Sequence, residues 1–280
     1  ERGFQGRRPN RSLVAFYSTH LPQLRLRCGL PHEHANMMYL RRSQERGYAD
    51  HGWLRSFHSF SFASYQDPRF VSWGNLRVIN EDRVAPGTGF GTHGHRDMEI
   101  VSVVLSGRLG HQDSLGHGTT IGPGEVQRIS AGQGIRHSEY NHQADRETHF
   151  LQIWFLPDAP GGDPGYEQRA FPDNDQRGRL RLLLSPDGDL GSVSMRAGAR
   201  LYSGLFDGPA ESAQLALAAN RLAYVHLVRG SIQANGQTLQ AGDALMVRDE
   251  AVMHLSHGDD AHVLLFDLAR LPGSDLTLQA

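Results

Sequence analysis

From Leu76 to Leu156 short apolar runs recur, each closed by a Gly or Pro turn. Leu76-Arg77-Val78-Ile79-Asn80, Ile100–Leu105, Val126–Ile129 and His149–Leu156 are rich in residues that fit a pleated, half-buried surface, so each predicts a strand. Pro86-Gly87, Gly107, Pro123-Gly124 and Ala131-Gly132-Gln133-Gly134 supply the turns, and His111–Gly116 reads as a strand running into a turn. Upstream, Ser56-Phe57-His58-Ser59-Phe60-Ser61-Phe62 alternates and predicts a strand or extended arm. Its aromatic face is a core face, and His58 a structural or surface histidine. The stretch 157–165, dense in Pro, Gly and Asp, marks a boundary, and beyond it the β pattern resumes. There Ser231–Ala234 and Gln237–Gln240 flank Asn235-Gly236, a two-residue hairpin signal, and Val263–Leu268 is the last strand. Strands this short, at this spacing, imply an all-β sandwich or barrel.

The two halves echo each other. VVLSGRLG (103–110) resembles HLVRGSIQ (226–233), and GPGEVQRIS (122–130) resembles QAGDALMVR (240–248). This divides the chain into a leader, 1–36, and two domains, 37–158 and 159–280. The leader is Arg-rich and without period; it is expected to be disordered, foreign to the fold, or a transit segment. Residues from Pro272 onward are expected to be a frayed tail.

Composition removes several chemistries. Cys28 is the single cysteine, so no disulfide framework, CxxC pair or thiolate zinc site exists. Every basic residue is arginine; with no lysine, a Schiff base, a P-loop lysine and a lysine general base are excluded. A formal net charge of -2 argues against a polyanion-binding surface, so no direct nucleic-acid partner is expected. No apolar run is long enough for a membrane helix, and a reduced cytoplasm is the expected location, with a monomer as the expected state.

Sixteen histidines remain as the reactive inventory. His93-Gly94-His95 and His137-Ser138-Glu139 each have spacing i, i+2, which on a strand places both side chains on one face. A small antiparallel barrel that brings the two pairs together would form a metal site from three imidazoles and a carboxylate. Glu99 is a competing carboxylate, since it too lies an even number of residues from His95. His111 is expected to be a hydrogen-bonding strand residue and His117 to lie on a turn surface. His142 and His149 are expected to stay outside the site. In the second half the corresponding positions hold Ala216, Ala218 and Leu255, so one site per chain is expected, with His226, His254, His257 and His262 structural or on the surface.

These segments carry a resemblance. Gly87-x5-His93-x-His95-x3-Glu99-x7-Gly107 resembles the first cupin motif, with one residue more before the final glycine. Gly124-x5-Ser130-Ala131-Gly132 with His137-x3-Asn141 resembles the second, with Ser130 where proline is usual and a longer gap before the histidine. GFGTHGHRDMEI and SAGQGIRHSEYN are similar to the pirin family of bicupins, from about Met38 to Leu268, with Gly94 where that family commonly has proline. The resemblance implies two cupin-type jelly-roll barrels in tandem and His93, His95, His137 and Glu139 as ligands, leaving Glu99 nearby. It implies one divalent transition metal per chain, Fe(II) first, with Mn, Co, Ni, Cu and Zn all compatible with the ligand types. It further implies a quercetin 2,3-dioxygenase activity on a flavonol substrate with O2, in which Glu139 accepts the 3-hydroxyl proton. The alternative it carries is an iron-binding regulator acting through a protein partner.

Overall fold

Strand Glu99–Ser106 is apolar on both faces because each face meets a different neighbour. Val101 and Val103 look outward into the largest apolar cluster, whereas Ile100 and Val104 look inward. Polar Ser102 shares that inward face and hydrogen-bonds inside the barrel. This two-faced strand is an interior strand of a seven-stranded sheet in the computed structural model, which describes residues 37–272. The leader expected at 1–36 and most of the tail lie outside the described residues.

From edge to edge the sheet runs Gly165–Ala170, Glu125–Ser130, Glu99–Ser106, Thr148–Phe155, Leu76–Val84, Leu54–His58 and Gly47–Asp50. A four-stranded sheet of Thr88–His95, Ile135–Asn141, Leu109–Asp113 and Gly118–Ile121 faces it and completes the first barrel. The second barrel is one nine-stranded sheet in which the long strands Arg221–Ala234 and Val252–Ala269 break register and turn from one wall into the other. The molecule is all-β, two barrels in tandem.

One strand is exchanged in each direction. Met37–Arg41 pairs with Ala244–Arg248 of the second sheet, and Gly165–Ala170 pairs with Glu125–Ser130 of the first. Strand pairing therefore crosses the 158/159 division of the chain twice. Arg41, buried, donates to the Ser59 carbonyl and to Tyr65 Oη at 3.1 Å while its guanidinium lies over Phe70, which ties the exchanged strand to the aromatic arm.

The repeat has a steric basis. Gly107 and Gly230 have φ +79° and +73°, and at each a Cβ would strike the backbone of the adjacent strand. Asn235 and Gly236 both have positive φ, as the two-residue hairpin requires. The arm departs from expectation: the strand ends at His58, and Ser59 to Phe62 leave the sheet. Phe60 still reaches the core, because Ser61 satisfies the turning backbone by exchanging hydrogen bonds with Asp67.

His226 is buried on the face of the second barrel turned toward the first, the face it shares with Leu222 and Tyr224, and neither ring nitrogen has a hydrogen-bond partner among the described residues. Burial, helped by the Arg46 charge, pushes its pKa down to about 4 from 6.5. The unfolded chain takes up this proton near pH 6.5 and the folded chain only near 4. Its contribution is therefore complete above 6.5 and is lost as the pH falls through that window. His226→Leu is expected to gain about 2 kcal/mol on wild type between pH 8 and pH 5 in urea unfolding. Parallel stability curves would contradict this.

Candidate metal centre

The centre is built on one strand pair. Thr88–His95 runs antiparallel to Ile135–Asn141, with His93 opposite His137 and His95 opposite Ile135. One step further the register slips, so that Glu139 stands opposite Phe90. The extra residue belongs to the Gly91-Thr92 segment, and such a bulge re-aims the side chains beside it. Its carbonyl has a use: His93 Nδ1 donates to Gly91 O at 2.8 Å, which fixes the tautomer and leaves Nε2 with a free lone pair.

The ring centroids of His93, His95 and His137 lie 4.4, 4.8 and 4.9 Å apart, pair by pair, and their ligand atoms fall within 4.8 Å of one another. Burial drives the pKa of all three below the ordinary histidine value, to about 3 for His95 and about 2 for His137. They are neutral imidazoles, the form that binds metal. Neither nitrogen of buried His137 has a hydrogen-bond partner among the described residues. A lone pair left bare in a protein interior is costly, and a cation between the rings would satisfy it. The donor set thus fits a divalent transition ion, and the partial exposure of His93 and His95 leaves it reachable from outside.

Glu139 enters the same chamber without joining the close group of three. Its Oε1 accepts from Ser102 Oγ at 3.2 Å and its Oε2 from Gln152 Nε2 at 2.7 Å. Full burial, with the neighbouring Asp82 charge, pushes its carboxyl up to about 7. Glu99 is also buried, but Oε2 accepts from Ser130 Oγ at 2.7 Å and from the Arg196 amide at 3.2 Å, linking the strand to the second barrel.

Further neighbours complete the chamber, among them His111, which is the hydrogen-bonding strand residue expected of it. His111 is buried, its ring 5.5 Å from that of His137, and its Nε2 donates to Asp113 at 3.0 Å. The same Asp113 carboxylate accepts from His117 Nδ1 at 2.9 Å, joining the chamber to a half-exposed residue. His111-x-Asp113 has the i, i+2 spacing of the ligand pairs, the one signal that could have marked it. Trp154 meets His95 edge-on at 5.0 Å and Phe62 at 5.5 Å, so the aromatic arm reaches the mouth as well as the core. His149 lies outside the barrel, donating to Glu81 at 2.9 Å, and His142 is exposed beside Tyr140. Among the described residues the second barrel holds no comparable group of three.

A Pirin sequence-family model matches residues 39–155, and one described as the quercetinase C-terminal cupin domain matches 182–268. The chain is 44% identical over 232 residues to the quercetin 2,3-dioxygenase of Escherichia coli (strain K12), covering 83% of this chain and 99% of that protein. It is 41% identical over 224 residues to a pirin-like protein of Caulobacter vibrioides, covering 80% and 96%. The crystal structure of the bacterial pirin YhhW from Escherichia coli in complex with nickel(II) superposes with a TM-score of 0.80 at 43% identity. It covers 84% of this chain and 100% of that one.

Competition with a chromophoric chelator is expected to show one divalent ion bound per chain. Losing a coordinating side chain should cost at least about 100-fold in affinity, more than is typical for residues that only support a ligand. His137→Ala is the test, and near-native affinity in that variant would contradict the assignment.

Proposed function

The chain belongs to the pirin family, and from that premise we propose that it is a metal-dependent dioxygenase that opens the ring of flavonols such as quercetin with O2. The observation that carries this reading is the cluster of three neutral imidazoles at a partly open barrel mouth, beside a buried carboxyl with a pKa raised to about 7. His93, His95 and His137, with Glu139 as fourth donor, would hold the ion, iron(II) in the first instance. Bound there, the metal supplies Lewis acidity toward a substrate oxygen and electron transfer toward O2.

The chain's own groups do the rest. Glu139, poised near neutrality, accepts the proton of the flavonol 3-hydroxyl, and Ser102 and Gln152 hold the carboxyl in place for it. Phe62 and Trp154 offer aromatic edges to a flat substrate. Arg136, exposed beside His137, lends the mouth a positive field that favours an ionised phenol. No helix of the described residues is long and apolar enough to cross a membrane, and a monomer working in the cytoplasm is part of the same proposal. No observation favours the regulatory reading over the enzymatic one.

Oxygen uptake with quercetin by the metal-loaded protein is the test. His137→Ala is expected to abolish it, and Glu139→Gln to lower kcat by about 100-fold or more, the usual yield of a positioned base. Undiminished turnover in His137→Ala would remove the proposal.

A further inference from the structure

A cavity of about 520 Å³ lies away from the triad, between the two barrels. That is the size of a small-molecule site. Val103 and Leu105 of the first barrel form one apolar wall, and Leu205 and Val228 of the second face them. The polar groups on its border fall into two sets of different sign.

The first set is a connected ion network. Arg46 Nη1 donates to Glu81 Oε2 at 2.8 Å, His149 Nε2 donates to Glu81 Oε1 at 2.9 Å, and Arg83 Nη2 stands 3.8 Å from Glu81 Oε1. Arg83 Nη1 donates to Glu147 at 3.3 Å, and Arg55 closes the chain on Glu147 at 2.6 Å. On the border itself two guanidinium groups, Arg46 and Arg83, share the single carboxylate of Glu81. The described hydrogen bonds of Arg83 use Nη1 alone, and those of Arg46 use Nε and Nη1. Arg46 Nη2 reaches past Gly242 of the second barrel, where a Cβ would stand 2.6 Å from it. Glycine at that position keeps a guanidinium donor at the edge of the cavity.

The second set is acceptor-rich. Ser203 Oγ bridges Gln176 Oε1 at 2.5 Å and His262 Nε2 at 3.0 Å, and the Asp173 carboxylate bears on His262. The other charged groups on the border are already engaged. Glu125 accepts from the Gly122 amide and Gln168, and Arg229 pairs with Asp260.

We propose that this inter-barrel cavity binds a small aromatic carboxylate carrying a hydroxyl at its far end. The carboxylate meets the spare donors of Arg46 and Arg83, the ring lies between Val103, Leu105, Leu205 and Val228, and the hydroxyl donates to one acceptor of the second set, the Asp173 carboxylate or Ser203 Oγ. The site is separate from the triad and independent of the dioxygenase reading.

The probe is 6-hydroxy-2-naphthoate, titrated into the full-length, metal-loaded chain and followed by its fluorescence. Saturable binding is expected, with the neutral 6-hydroxy-2-naphthamide at least about tenfold weaker because it lacks the charge. Arg83→Gln and the cavity-narrowing Val228→Phe should each weaken the naphthoate by about fivefold or more, while His137→Ala should leave it within about twofold. Non-saturable binding, an amide that binds equally well, indifference to both cavity variants, or loss of binding in His137→Ala would each overturn the proposal. The amide comparison is made on wild type and does not depend on either cavity variant folding.

Discussion

The first barrel depends on the pairing of His93 with His137 across a bulged antiparallel ladder. A regular ladder would carry the register straight through to Glu139. The slip after His137 instead turns a backbone carbonyl toward His93 and holds its ring by one nitrogen. Three imidazoles are thereby pressed together in a setting that burial keeps neutral, and the two ring nitrogens of His137 find no partner among the described residues. Such a cluster is unfavourable alone and favourable around a cation, which is why the arrangement implies an ion.

The same constraint explains why the two barrels are filled differently. The second barrel is filled by a single apolar cluster that includes Phe206, Leu227, Met253 and Leu265. In the first barrel the apolar residues divide into two smaller clusters, and between them lies a polar interior of Ser102, His111, Gln127, His137, Glu139 and Gln152. A polar interior costs stability unless each group finds a partner. The compensating burial lies between the barrels, where Trp73, Phe155, Tyr224 and Phe266 join the largest cluster. The second barrel and the exchanged strands act as the scaffold on which the first can keep a polar chamber.

Much of this was legible in the sequence because it rests on local rules. Spacing of i, i+2 placed His93 with His95 and His137 with Glu139, and the glycines at 107 and 230 marked the same turn in both halves. Contacts that depend on distant pairing were not legible. Nothing local shows that Met37–Arg41 leaves for the second sheet, or that Ser102 and Gln152 meet at Glu139. His111-x-Asp113 had the right spacing but gave no sign of which face was inward, since that is set by its pairing with Glu139 and His137. The aromatic arm was legible only as a strand or an extended arm, because alternation alone does not distinguish a strand from a turn whose backbone Ser61 satisfies.

The most direct measurement is an anomalous difference map from crystals of the metal-loaded protein. The expected result is one peak per chain in the first barrel, bonded to His93 through Nε2 and to His95 and His137. A peak in the second barrel, or one in the first that leaves His137 unbound, would contradict the account.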